Sequence, residues 1–162
     1  MTFALSSPAF ADGEPIPPRH TVDGDDVSPP LAWSGVPQGT ASLALLVEDP
    51  DAPDPAAPRR RWVHWAVCNI PADATALAEG AGNGHLPAGT IEGLNDWKTV
   101  GWRGPSPPVG RHRYVFTLHA LDVVLARFRS FTKAQLEQAM HRHVLATAEL
   151  TGTYERRRSP GD

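Results

Sequence analysis

Three short segments hold the side chains best suited to chemistry. The first is Asp49-Pro50-Asp51-Ala52-Pro53, two carboxylates in a proline-stiffened stretch. Proline biases the residue before it toward extended geometry, so this segment can hold a carboxylate in a fixed place. The second is Trp62-Val63-His64-Trp65-Ala66, where a strand would put His64 on one face with Trp62 and Ala66. The third runs from Gly104-Pro105-Ser106-Pro107-Pro108 to His112-Arg113-Tyr114. Its glycine and prolines make a rigid rim, and its strand places His112 and Tyr114 on one face. A carboxylate beside an imidazole favours the charged ring, which donates from both nitrogens. Asp49 is therefore expected to orient and charge His64. Two imidazoles, a phenol and freed backbone N–H groups suit a phosphate or a carboxylate.

Two other chemistries use the same residues. Asp49, His64 and His112 could do acid/base hydrolysis. Ser106 is the nearest nucleophile, but it lies on a proline-rich turn without G-x-S-x-G context. Two histidines and an aspartate could also hold zinc, although their spacing is not that of a helical H-x-x-x-H pair. Taken singly, each segment also reads as ordinary structure. The readings are an acidic turn capping its own N–H groups, a hydrogen-bonded core histidine, and a surface loop.

The elements that must position these groups are mostly strands. Ser42–Glu48 is a short apolar run, suited to a strand buried on both faces. It is expected to end at Asp49, with Asp49–Pro55 a rigid loop. Leu31–Ser34 and Trp62–Ile70 read as further strands, and residues 71–110 as mostly loop. Arg113–Val124 is the clearest strand, with Tyr114, Phe116, Leu118 and Ala120 on one face. One helix follows. Thr132 and Gln135 form a capping box, Leu136, Met140 and Val144 share a face, and Gly152 is the stop signal. Residues 1–152 are expected to be a single domain, and 153–162, with Arg156-Arg157-Arg158, a polar tail.

The totals narrow the field. The chain has 162 residues and a net charge of −3, which carries no overall basic footprint for nucleic acid. Its 17 prolines are about twice the usual share, so long irregular connections surround a compact core. Cys68 is the single cysteine and reads as a small buried hydrophobe. No window approaches a bilayer-spanning run, and Met1–Phe10 is a poor signal peptide, so a cytoplasmic location is expected. Nothing calls for a cofactor.

In this order, the three segments resemble the signature of the phosphatidylethanolamine-binding proteins. Asp12-Gly13-Glu14-Pro15-Ile16-Pro17, Ser28-Pro29-Pro30-Leu31-Ala32-Trp33 and Gly93-Leu94-Asn95-Asp96 resemble its bacterial YbhB/YbcL-like branch, often labelled Raf-kinase-inhibitor-like. The resemblance covers roughly residues 3–150. It implies a mainly β fold, a large antiparallel sheet packed on a smaller one as a sandwich, with long Pro/Gly-rich loops and one peripheral C-terminal helix. It also implies an anion pocket for phosphate, carboxylate or a phosphorylated headgroup. By motif position Asp49, Asp51, Pro53, His64, Gly104, Pro107, Pro108, His112 and Tyr114 form that site. A cis peptide is implied near Arg60-Arg61. Homodimers and modulation of a protein partner are further expectations of the family. Arg103 stands where a small glycine is common, implying a narrower or more basic mouth.

Overall fold

In the computed structural model, residues 2–126 and 130–156 are described. The chain forms β1 (Ala4–Ser6), β2 (Leu31–Ser34), β3 (Ser42–Ala52), β4 (Arg60–Pro71), β5 (Ala76–Leu77), β6 (Ile91–Glu92), β7 (His112–Leu121), α1 (Lys133–Met140) and β8 (Val144–Tyr154). The strands make two antiparallel sheets, ordered β1-β2-β5 and β6-β4-β3-β7-β8. The expected mainly β sandwich with one peripheral helix is therefore the observed fold.

The core has two layers because the large sheet is covered on both faces. Leu43, Leu45, Val47, Trp65, Val67, Phe116 and Leu118 pack toward Leu5, Leu31 and Trp33 of the small sheet. Ala44, Leu46, Ala66 and Cys68 pack on the other side against Leu136 and Met140 of α1. Burial pushes the Cys68 thiol up to about 12, so it stays protonated. Among the described residues no helix is long and apolar enough to cross a membrane.

Four local expectations change. β3 does not stop at Glu48 but continues through Asp49, Pro50 and Asp51 to Ala52. A proline is tolerated there because the β7 ladder ends at the Glu48–Val115 pair and the β4 ladder is irregular beyond Asp49. The helix also ends earlier, at Met140, with Arg142 at φ 68° in the turn that follows. Its capping box forms as expected. Val144 is not on the helix but opens β8, where Ala148, Leu150, Gly152 and Tyr154 alternate inward. Gly152 is no helix stop; a Cβ there would lie 2.4 Å from Ile16 Cγ1. Thr153 and Tyr154 thus belong to β8, and residues 157–162 of the expected tail lie outside the described residues. The cis peptide among the described residues is Ala52-Pro53, not Arg60-Arg61, although Ala52 pairs with Arg60 across the sheet.

Candidate functional site

A single displaced residue decides which way His64 points. Val47 pairs with Trp65, while the next residue, Glu48, pairs with Val63. His64 is the extra residue of a β-bulge, and a bulge re-aims the side chains around it. His64 and Trp65 both lie toward the small-sheet side, with Tyr114 and Phe116 as neighbours, whereas Ala66 falls into the opposite core layer. The expected shared face with Trp62 is present, but Ala66 does not share it.

At the end of the sheet a cavity of about 170 Å³ opens. Of the nine residues expected at a site, Asp49, Pro53, His64, Pro108, His112 and Tyr114 line it. Asp51, Gly104 and Pro107 do not. Asp51 takes a bidentate grip from the Arg113 guanidinium, at 3.0 and 2.8 Å, and also accepts from the Arg113 backbone N–H. That pairing lowers the Asp51 pKa and ties the end of β3 to β7. The Gly104 N–H donates to Asp26 Oδ1 at 2.9 Å. A Cβ on Gly104 would sit 2.4 Å from both that oxygen and the His20 carbonyl. Gly104 is therefore a close-packing position whose N–H is already used. Pro107 is buried behind the rim.

The histidines divide their roles differently from the expectation. Asp49 pairs with His112, not His64: Asp49 Oδ2 lies 2.5 Å from His112 Nδ1. His112 Nε2 lies 2.7 Å from the Val109 carbonyl, which can only accept. The pair thus shares one proton between Nδ1 and Oδ2 and directs a second at Val109, and is neutral as a unit. Burial raises the Asp49 pKa, opposed by its bond to His112. With both nitrogens engaged, His112 has no free donor or lone pair for a ligand or a metal. The same occupancy removes it from a hydrolytic pair.

His64 is buried, and its Nδ1 donates to the Arg103 carbonyl at 2.6 Å. Loss of solvent pushes its pKa down to about 4, against the opposing pull of the Arg103 and Gly104 backbone. The ring is neutral near pH 7, and Nε2 is then a hydrogen-bond acceptor. Tyr114 stacks on His112 at 6.5 Å and meets His64 edge-on at 5.2 Å. Burial, with Asp49 nearby, raises the pKa of its phenol, which stays protonated.

Sequence reasoning missed Trp62 and Trp97 as wall residues, together with Ala52 and Ser106. Trp62 was legible from its place two residues before His64. Trp97 was not, because a network around the Asn95 side chain holds it: Asn95 Oδ1 accepts from the Trp97 and Thr99 N–H groups. Trp97 meets both Trp62 and His64 edge to face, at 5.3 and 5.0 Å.

The decisive feature is what these groups lack. Among the described residues, three buried side-chain polar atoms have no hydrogen-bond partner. Two of them, Trp62 Nε1 and the Tyr114 hydroxyl, belong to walls of this one cavity. The Ser106 backbone faces the Tyr114 oxygen but does not reach hydrogen-bonding geometry. An unpaired buried donor costs about 1–3 kcal/mol, and these two lie in the walls of one cavity.

A larger groove, about 600 Å³, lies on the opposite face of the sheet beside α1. Its buried charge, Glu48, is already paired. Glu48 is bonded by Lys133 Nζ and lies 3.4 Å from Arg61, and Lys133 also reaches Glu137 at 3.7 Å. Among the described residues no group of three histidine, cysteine or acidic side chains is placed to hold a metal ion.

Comparison with known proteins gives the family of the chain. The family model of the phosphatidylethanolamine-binding proteins matches residues 6–155. A UPF0098 protein of Methanothermobacter thermautotrophicus is 48% identical over 94% of this chain and 98% of its own. The crystal structure of a putative phosphatidylethanolamine-binding protein homologue from Chlamydia trachomatis superposes with a TM-score of 0.88 at 44% identity, covering 96% of this chain and 99% of that one. Escherichia coli YbcL, described as a new member of the mammalian family, gives 0.87 at 36% identity, covering 97% of this chain and all of that one. With a model match over nearly its whole length and relatives this similar, the chain belongs to the phosphatidylethanolamine-binding protein family.

Proposed function

We propose that the protein binds a small oxoanion, a phosphate or carboxylate head, in the cavity between β3, β4 and β7. The two unpaired donors, Trp62 Nε1 and the Tyr114 hydroxyl, carry this reading. Each would donate to a ligand oxygen. His64 Nε2, as an acceptor, would take the remaining proton of a hydrogenphosphate or a carboxylic acid. The neutral Asp49–His112 unit holds Tyr114 by stacking and adds no net charge to repel an anion. Apolar walls from Pro53, Pro108 and the tryptophans limit competition from water. The hydrolytic alternative has no support in this geometry. Among the described residues no hydrogen bond joins the Ser106 hydroxyl to either imidazole, and His112 is fully engaged.

An NMR titration with inorganic phosphate tests the reading. Saturable shifts are expected at Trp62, His64 and Tyr114. Tyr114→Phe should weaken phosphate by about tenfold, one charge-assisted hydrogen bond, without loss of fold stability, since it also removes an unpaired hydroxyl. Absence of saturable shifts, or full affinity in Tyr114→Phe, would overturn it.

We also propose a homodimer. The first half of β8, from Val144 to Glu149, has no neighbour beyond β7 among the described residues, and Val144 and Leu145 are exposed on it. Its second half is covered by residues 12–16. A sedimentation mass equal to one chain would refute this.

A further inference from the structure

Two guanidinium groups packed on the tryptophans of the cavity wall restrict what else its ligand can bear. Trp62 and Trp97 are its aromatic walls. A guanidinium already sits against each: Arg60 lies 4.4 Å from the Trp62 centroid and Arg103 lies 4.7 Å from that of Trp97. The remaining ring contacts of these tryptophans are to each other and to His64. Tryptophan is the best aromatic partner for an ammonium group. Here that role is filled from within the protein, so an incoming cation meets an occupied ring and two like charges.

The two arginines are not equally compensated. Arg60 lies 3.7 Å from Asp96. Among the described residues no carboxylate lies within ion-pair reach of the Arg103 guanidinium, although Asp26 is near enough to feel its charge. A guanidinium stacked on a ring keeps its edge N–H donors free in the ring plane. The Arg103 side chain is exposed, while its carbonyl fixes His64 at the cavity floor. One residue thus holds His64 through its carbonyl and stacks its guanidinium on the Trp97 wall.

We propose that this pocket selects ligands with two anionic groups, a phosphate or carboxylate head in the cavity and a second negative charge at the mouth on Arg103, and discriminates against zwitterionic heads that end in an ammonium. This rests on the anion-binding reading of the same cavity. Arg103 is the specificity-determining residue and Arg60 its weaker companion.

A matched two-carbon series tests it: phosphoglycolate with an anionic tail, ethyl phosphate with a neutral tail, and phosphoethanolamine with a cationic tail. Dissociation constants come from NMR or calorimetric titration of the full chain. The expected order is phosphoglycolate tightest and phosphoethanolamine weakest, with about tenfold between the ends at low salt, the scale of exposed charge pairs. The span should shrink at 0.5 M salt through screening. In Arg103→Gln the three should fall within about twofold of one another, and in Arg60→Gln the order should persist with a smaller span. Both side chains are exposed, and a backbone amide spectrum checks the fold. Phosphoethanolamine binding as tightly as phosphoglycolate, or an unchanged span in Arg103→Gln, would overturn the proposal while leaving the anion pocket standing. Failure of all three to bind would overturn the pocket reading and this inference with it.

Discussion

The two hollows on opposite faces of the large sheet differ in a way that size and charge do not predict. The groove beside α1 is larger and richer in ionisable groups, with Glu48, Arg61, His119, Lys133 and Glu137 among its walls. The cavity at the sheet's end is smaller and mostly apolar, yet it holds the unpaired donors and the buried, neutral histidine. In the groove each buried charge has a partner within the chain. In the cavity the Asp49–His112 pair is closed on itself, and the groups around it are left open. What sets the cavity apart is therefore not how many polar groups it has but how many have nothing to bond, and the proposed binding rests on that difference.

Breaking the two ion pairs should separate these regions most sharply. Asp49→Ala removes the partner of His112 Nδ1 and the acceptor of the Asp51 N–H, both buried. Stranding buried groups in this way costs about 3–5 kcal/mol. Lys133→Met leaves the buried Glu48 with one partner, Arg61, whose own side chain is half-exposed, and should cost less, about 1–2 kcal/mol. Urea unfolding of both variants reads the difference. Equal losses would mean that the groove is as tightly built as the cavity, and the contrast would fail.

Acid should act chiefly through the cavity. His64 has a folded pKa of about 4, below its unfolded value of about 6.5. Between those values the unfolded chain binds the extra proton and the folded chain does not. Stability is therefore complete above about pH 6.5 and falls as pH drops toward 4, by about 3 kcal/mol in all. Asp49 works in the opposite sense at the acid end, since its raised pKa makes the folded state the better proton binder there. His119 in the groove is lowered by burial too, but Glu137, Glu48 and Glu149 oppose the shift. The slope between pH 7 and 5 should flatten in His64→Asn and change little in His119→Asn. Denaturant midpoints across that range measure both. A flattening in His119→Asn instead would move the acid sensitivity to the groove.

Much of this was legible in the residues. Period-2 alternation in β7 placed Tyr114, Phe116, Leu118 and Ala120 inward, and the continuous apolar run of β3 implied cover on both faces. The capping box at Thr132 marked the start of α1. Its end was not legible, because Leu136, Met140 and Val144 keep a helical period by coincidence while the chain has already turned into β8. The alternation of Ala148, Leu150 and Tyr154 was the competing signal. At the site, residue types and positions could be read, but pairings could not. Which histidine Asp49 meets depends on a one-residue bulge at His64, and bulges leave no period in a sequence. Trp97 reaches the wall through side-chain bonds to Asn95, a tertiary fact that composition does not carry.

The smallest test asks whether the two faces are independent. Thr132 Oγ1 accepts from the Gln135 N–H at 3.1 Å, and Gln135 Oε1 accepts from the Thr132 N–H at 2.9 Å. Thr132→Ala removes half of that box, and a lost N-cap costs about 1 kcal/mol. The loss falls on α1, which packs Leu136 and Met140 on the groove side of β3 and β4. Those strands also carry Asp49 and His64, one residue away on the opposite face. If the sheet is rigid between its two layers, unfolding shows the ~1 kcal/mol loss while the dissociation constant of phosphate stays within about twofold. A larger loss of phosphate affinity would mean that α1 presses through β3 on the cavity, and the two hollows would have to be treated as one coupled site.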